Sequence, residues 1–171
     1  MPILTSKNTF KGQQPGEKTI LATTRHWIVL FGPMIILVIF IFLPFIIYPY
    51  LSSQSWFFIT SSLYWFITAI YFLILWHLAF FNIMVYALNT VIITNKRIIQ
   101  NEQKGFFNYN TDELGINQVQ DASAKIQGPF ATLLHYGDVE VQSAAAQRKF
   151  YFDRFPYPEK IKKAIMDLKI P

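Results

Sequence analysis

The chain contains one long uncharged block, and this block predicts two membrane-spanning helices. Between Trp27 and Asn95 there is no Asp, Glu, Lys or Arg. A charged side chain is unfavourable at the centre of a bilayer, so a long apolar stretch without charge is what a membrane span requires. A short polar turn at residues 52–55 divides the block into apolar runs at about 28–48 and 56–81, each long enough to cross the hydrocarbon core. We therefore predict a transmembrane hairpin within residues 27–82.

Amphipathic side chains stand at the ends of both apolar runs. Tyrosine and tryptophan favour the membrane–water interface because their rings are apolar and carry a polar tip, and lysine and arginine flank spans on the cytoplasmic side. We predict that the following residues anchor the hairpin at the two interfaces: Arg25, Trp27, Tyr48, Tyr50 and Trp56.

The distribution of lysine and arginine predicts the orientation of the hairpin. Residues 1–26 contain four basic residues, the polar turn contains none, and Lys96 and Arg97 follow the second run. Basic residues accumulate on the cytoplasmic side of spanning segments. We therefore expect a multi-pass protein of the cell membrane with both termini in the cytoplasm, in which residues 1–26 form a cytoplasmic tail.

Residues 85–171 have the pattern of a β domain closed by one helix. Residues 91–93 and 98–99 are rich in β-branched side chains and flank a polar break, which predicts a hairpin. Apolar and polar residues alternate at three further places, and about six strands are predicted in all. After Pro158 one apolar stripe follows a helical period, at Ile161, Ala164, Ile165 and Leu168. The predicted fold is a membrane α-helical hairpin plus an all-β domain capped by a C-terminal α-helix.

Composition excludes several kinds of site. The 171 residues include no cysteine, so disulfide scaffolds and thiolate metal sites are excluded. His26, His77 and His135 lie far apart without a second ligand at metal spacing, and Asp112 and Glu113 are adjacent, which places them on opposite faces of a strand. We expect no catalytic residue, metal or cofactor, and no nucleic-acid partner, since no basic stripe with interleaved aromatic residues is present.

The remaining candidate chemistry is basic. Lys96 and Arg97 lie in the first predicted hairpin, and Arg148 and Lys149 begin a later strand. Each basic residue near an anionic leaflet contributes about 1 kcal/mol of attraction. These four residues are the candidate contacts to lipid headgroups or to a protein partner.

The order of these features resembles the type 2 bacterial PH family of membrane proteins. The likeness rests on Gly16-Glu17-Lys18 and Arg25-His26-Trp27 before the first span, on Thr94-Asn95-Lys96-Arg97-Ile98 in the first hairpin, on the segment from Gly128 to Val139, and on Pro158 with its helix. The resemblance implies a PH-like barrel of seven strands in two sheets, with the C-terminal helix plugging one open end. It implies no agreed catalytic residues.

Two functions follow as hypotheses. The first is a non-enzymatic, membrane-anchored PH-like scaffold, with envelope stress as a candidate setting, that associates with itself or with another membrane PH-like protein through a strand edge or a groove. The second is a domain that senses anionic lipid headgroups at the inner leaflet. A small transporter subunit is a third possibility, but the spans hold no ionisable residue of the usual relay type except His77.

Overall fold

A computed structural model describes residues 10, 12–143 and 149–169 of the chain. These residues divide into two compact units. The helical unit comprises residues 27–84. The β-rich unit comprises the described residues up to His26 and those from Val85 onward.

The helical unit is built from two long apolar runs. The first contains helices α1 (Ile28–Ile41) and α2 (Leu43–Ser52), which are separated at Phe42, and the second is helix α3 (Phe57–Leu88), which continues into the β-rich unit. Both runs, Ile28–Ser52 and Phe57–Leu88, are long and apolar enough to cross a membrane, and very little of either is buried. They agree with the predicted helices, and each extends further at its carboxyl end than expected.

A tyrosine supplies the hydrogen bond that a proline removes from the first run. Pro44 has no N–H, so the carbonyl of Phe40, four residues earlier, lacks its normal helical donor. The Tyr71 hydroxyl donates to this carbonyl oxygen at 2.7 Å. A second tyrosine on α3, Tyr64, donates to the Pro44 carbonyl at 2.6 Å. These two bonds join α3 to the segment where α1 and α2 meet.

Replacing Tyr71 by phenylalanine is therefore expected to destabilise the helical unit by about 1 kcal/mol, because the Phe40 carbonyl loses the hydroxyl that donates to it in place of the missing Pro44 N–H. Thermal unfolding of the full chain in mild detergent measures the effect. Tyr50→Phe is the matched control, since Tyr50 is 73% exposed. Equal unfolding temperatures for the two variants would contradict the role assigned to Tyr71.

The β-rich unit contains two antiparallel sheets. Strands β1 (Thr19–Thr24), β2 (Thr90–Thr94), β3 (Arg97–Gln103) and β4 (Tyr109–Gly115) form the first sheet in that order. A 3₁₀ turn (Ile116–Gln118) leads to the second sheet, which contains β5 (Val119–Lys125), β6 (Tyr136–Ser143) and β7 (Lys149–Pro156), with the short helix α4 (Pro129–Leu134) between β5 and β6. Helix α5 (Pro158–Lys169) ends the described chain.

The core lies between the two sheets and α5. Its members are buried side chains from both sheets, the 3₁₀ turn and α5: Val91, Ile93, Ile98, Leu114, Ile116, Val119, Ala122, Val139, Val141, Phe152, Phe155, Ile161 and Ile165. Ile161 and Ile165 belong to the apolar stripe predicted from the sequence, and Leu168 packs against the same cluster. The stripe and the C-terminal helix are thus confirmed.

Three sequence predictions need correction. The segment Thr19–Thr24 is not part of a separate tail, because β1 pairs with β2 and completes the first sheet. The described residues form seven strands, one more than the pattern predicted, and the additional strand is β1. Backbone pairing between described strands stays within each sheet, so the closed barrel implied by the family resemblance is not found.

Candidate functional site

The outer face of the four-stranded sheet carries both polar and apolar side chains. Val91, Ile93 and Ile98 point into the core, so the residues that alternate with them lie on the opposite face. The register places two rows across this face. One row contains Thr24, Thr90, Asn101 and Thr111, and the other contains Ala22, Ile92, Ile99 and Glu113.

At the β2–β3 turn this face holds a buried ion pair. The Glu17 carboxylate accepts hydrogen bonds from Arg97 Nε at 3.0 Å, from the Thr94 hydroxyl at 2.8 Å and from the Gln14 backbone N–H at 2.7 Å. Arg97 also donates to Glu113 at 2.6 Å and to the Gly12 carbonyl at 2.8 Å. The side chain of Glu17 is 0% exposed and that of Arg97 is 14% exposed.

The electrostatics agree with a pair that is ionised at neutral pH. Burial alone raises the pKa of Glu17, but hydrogen bonds from Arg97, Gln14 and Thr94 outweigh burial and lower this pKa to about 2. The same contacts with Glu17 raise the pKa of Arg97. The pair fastens the segment before β1 to the β2–β3 turn and is fully satisfied within the protein.

At the other end of the first sheet lies a groove of about 470 Å³. All its lining residues belong to the β-rich unit, and they include the small or apolar side chains of Ala22, Ile92, Ala87 and Leu88. A hydrogen-bonded row crosses it, in which the Asn101 amide donates to the Thr90 hydroxyl at 3.3 Å and accepts from Thr111 at 3.0 Å. This volume lies within the range of small-ligand and peptide sites.

Strand β4 forms one edge of this groove and pairs with β3 alone among the described strands. Its first five residues, Tyr109–Glu113, are exposed. The Lys104 N–H donates to the Asn108 carbonyl, and the Ile116 N–H donates to the Lys96 carbonyl. Because such bonds alternate along an antiparallel pair, the backbone groups of the odd-numbered residues of β4, such as Thr111, point away from β3. This edge is open to another extended segment.

Comparison with protein families identifies this arrangement. Residues 19–169 match the bacterial PH domain family. The chain belongs to the bacterial PH domain family. The match begins at β1 and ends with α5, so it includes the two apolar runs as well as both sheets. The resemblance inferred from the sequence motifs is confirmed, and the family supports a general interaction or lipid-binding module.

One solved structure similar to this bacterial PH domain is a DUF1696-family protein with a pleckstrin-homology domain from Shewanella loihica PV-4. The two chains are 13% identical, and the alignment covers 48% of this chain and 71% of that one, with a TM-score of 0.40. Comparison with curated proteins finds no match.

Of the four basic residues proposed as contacts, the structure describes the side chains of two, Lys96 and Arg97. Arg97 is held by Glu17 and Glu113, and 14% of its side chain is exposed. Lys96 is exposed, and its ammonium donates to the Pro15 carbonyl at 2.8 Å. Arg148 lies outside the described residues, as does the side chain of Lys149, whose backbone pairs with Gln142 at the start of β7. Glu17, the partner of Arg97, lies eighty positions earlier in the chain, so no local sequence pattern predicts the ion pair.

The predicted anchors of this bacterial PH domain are also placed. Trp27, Tyr50 and Trp56 are exposed, with 47%, 73% and 52% of their surfaces accessible. Tyr48 packs against the rings of Phe57, Tyr64 and Trp65 at 5.6–5.8 Å. Arg25 is half-buried in the β-rich unit and lies 3.8 Å from the Glu102 carboxylate. Their role as interface anchors stays a prediction.

Proposed function

We propose that this bacterial PH domain is a non-enzymatic, membrane-anchored module that binds a partner protein. The observation that carries the proposal is the pair of exposed apolar runs, Ile28–Ser52 and Phe57–Leu88, inserted between two neighbouring strands of the β-rich unit. At about 1.5 Å per residue both runs exceed the roughly 30 Å thickness of the hydrocarbon core. Large apolar surfaces of this kind are unfavourable in water and favourable in lipid.

The strand pairing restricts how the chain can cross a bilayer. Thr24 at the end of β1 pairs with Thr90 at the start of β2, and both apolar runs lie between these residues. If only one run crossed the membrane, β1 and β2 would lie on opposite sides and could not pair. Two crossings bring the chain back to the same side. The excess of lysine and arginine before the first run and after the second supports a cytoplasmic location for the β-rich unit.

Two measurements on the full chain test this anchoring. The protein should remain in the membrane pellet after alkaline carbonate extraction, and a tag at its carboxyl end should be protected in intact cells and exposed after permeabilisation. Recovery in the soluble fraction, or reaction of the tag in intact cells, would refute the proposal.

The partner is proposed to bind at the free edge of β4. An extended segment added there would form backbone hydrogen bonds with the outward-facing groups of the odd-numbered residues, and its side chains would lie beside the groove. Several acidic and histidine side chains have structural contacts: Glu17 with Arg97, Asp138 with the Tyr151 hydroxyl at 2.6 Å, and His26 stacked on Tyr136. This supports binding over catalysis. A second copy of the chain or another membrane PH-like protein is the expected partner.

Replacing Thr111 by proline is expected to weaken partner binding roughly ten- to hundredfold, the equivalent of one or two backbone hydrogen bonds. Proline is tolerated on an edge strand where its missing N–H faces solvent. Thr111→Ala is the matched control, because both variants lack the hydroxyl that bonds Asn101 and only proline lacks the N–H. Recovery of partner from detergent-solubilised membranes, with native mass measurement for self-association, gives the readout. Equal recovery by the two variants, both folded by circular dichroism, would exclude the β4 edge.

Headgroup recognition at the β2–β3 turn has less support. Of the two basic residues there, Arg97 is neutralised by buried and half-exposed carboxylates, which leaves Lys96 as the exposed cation of that turn.

A further inference from the structure

Several of the most exposed large apolar side chains of the β-rich unit lie in two segments, the turn between β3 and β4 and helix α4. The turn between β3 and β4 carries Phe106 and Phe107, which are 53% and 98% exposed. Helix α4 carries Phe130 and Leu133, which are 71% and 72% exposed. Phenylalanine and leucine exposed to this degree in clusters are typical of surfaces that contact a partner or a membrane.

The turn between β3 and β4 lies at the end of the first sheet where the chain comes from α3. Asn89 follows the last residue of α3 and is 2% exposed. Its side-chain amide donates to the Gln103 carbonyl at 3.2 Å and its side-chain oxygen accepts from the Gln103 N–H at 3.2 Å. The Asn89 carbonyl accepts from the Arg25 N–H at 3.4 Å, two residues before Trp27. The turn therefore begins beside both chain connections to the apolar runs.

Helix α4 lies at the same end of the unit. It ends at Leu134, two residues before β6 begins at Tyr136. The His26 ring stacks on the Tyr136 ring at a centroid distance of 5.1 Å, and the His26 N–H donates to the Arg154 carbonyl at 2.8 Å. His26 immediately precedes the first apolar run. The β3–β4 turn and helix α4 therefore both lie next to the residues that connect the β-rich unit to the apolar runs.

At the opposite end of the first sheet the β2–β3 turn is polar, and the exposed Ile20 of β1 lies beside it. The β2–β3 turn with Asn95 and Lys96 lies one strand length from Thr90, about 13 Å at 3.3 Å per residue. Both residues are exposed there. Among the described residues, the exposed phenylalanines and Leu133 therefore lie at the end with the chain connections, and the polar β2–β3 turn lies away from them.

We propose that Phe106, Phe107, Phe130 and Leu133 form a lipid-contact surface that rests in the interface of the bilayer crossed by the two apolar runs. This inference rests on the membrane anchoring proposed above. Spanning helices joined to the unit within a few residues of these side chains hold this end of the unit at the lipid surface. Lys104, 57% exposed at the same turn, suits the headgroup level beside the two phenylalanines. The surface fixes the tilt of the unit on the membrane.

The absence of cysteine allows single probes to be placed in the full chain. Four variants, Phe107→Cys, Leu133→Cys, Lys96→Cys and Leu73→Cys, are labelled with an environment-sensitive fluorophore. They are reconstituted in vesicles of phosphatidylcholine and phosphatidylglycerol with and without nitroxide-labelled lipid. Position 73 lies in α3 and is 58% exposed, so it reports anchoring independently of the β-rich unit.

We expect the nitroxide lipid to reduce the emission at positions 107, 133 and 73, and to leave the emission at position 96 unchanged. If position 73 is quenched but either position 107 or position 133 is not, the proposed lipid-contact surface is wrong and the anchoring stands. Quenching at 96 in place of 107 would reverse the orientation and overturn the lipid-contact surface as well. An unquenched probe at 73 would refute the anchoring itself, together with the inference that rests on it.

Discussion

Replacing Arg97 by methionine is expected to destabilise the β-rich unit by about 3–5 kcal/mol, because it leaves the Glu17 carboxylate buried without a charged partner. The Glu17 side chain is fully buried, and Arg97 provides its only charged hydrogen bonds among the described residues. Thermal unfolding in detergent measures the loss. Lys96→Met is the matched control, since it removes a neighbouring exposed cation and is expected to change stability by less than about 0.5 kcal/mol.

The double variant Glu17→Met with Arg97→Met distinguishes two causes of the lost stability, the unpaired carboxylate and the lost packing of the Arg97 side chain. Removing both charges relieves the uncompensated carboxylate, so the double variant should be more stable than Arg97→Met alone. If the single and double variants unfold at the same temperature, the carboxylate is not the cause of the destabilisation and this account of the pair is wrong.

The stability of the native protein and that of the Arg97→Met variant should depend on pH in different ways. Glu17 has an ordinary pKa of 4.5 and a folded-state pKa of about 2. A carboxyl whose pKa is lowered by folding contributes stability above the ordinary pKa, and this contribution is lost as the pH falls toward the folded value. The native protein should therefore lose the contribution of Glu17 between about pH 4.5 and pH 2. In Arg97→Met the buried carboxylate has no charged partner, so its protonation is favourable. The difference in unfolding free energy between the native protein and Arg97→Met should therefore become smaller as the pH falls.

Replacing Gly137 by alanine is expected to destabilise the unit by about 3 kcal/mol or more, through displacement of packed backbone. A Cβ at this position would overlap the Lys125 carbonyl oxygen and would lie 3.1 Å from side-chain atoms of Ile126 and Pro158. Because the nearest obstacle is backbone, no side-chain rotation relieves the overlap. The substitution should separate β5, β6 and the start of α5.

Gly115→Ala is the control for Gly137→Ala. A Cβ at Gly115 meets only the Gln118 side chain, at 3.8 Å, which is ordinary contact. Its unfolding temperature should stay close to that of the native protein. A Gly137→Ala protein as stable as Gly115→Ala would show that the β5–β6 junction can relax.

Local pattern was sufficient for much of the fold. The β2–β3 hairpin follows from β-branched residues on both sides of a polar turn, and α5 follows from an apolar stripe behind Pro158. Both elements are stabilised mainly by neighbours close in sequence or by one continuous face. The charge-free block likewise gave both apolar runs, because helix length and composition are local properties.

Long-range pairing explains most of the features that the local sequence pattern does not predict. Strand β1 has one exposed and five half-buried residues, so it shows no clean alternation, and its partner β2 is beyond both apolar runs. For the same reason the sequence predicts Arg97 to be a headgroup or partner contact. Its position in a basic turn can be read from the sequence, whereas Glu17 becomes its partner only when β1 joins the sheet. Helix α4 was missed because only six residues separate Gly128 from His135, although the Gly-Pro pair at its start is a helix-start signal.

The pairing of Thr24 with Thr90 has a consequence for how the protein is made. At about 5–20 residues per second, a ribosome delivers β2 roughly 3–13 s after β1. During that interval the first strand has no neighbour, and its closure with β2 waits until both apolar runs have been synthesised. Closure of the first sheet is therefore timed by synthesis of the two apolar runs, and a delay in their synthesis would leave β1 as an unpaired nascent segment open to quality-control proteases.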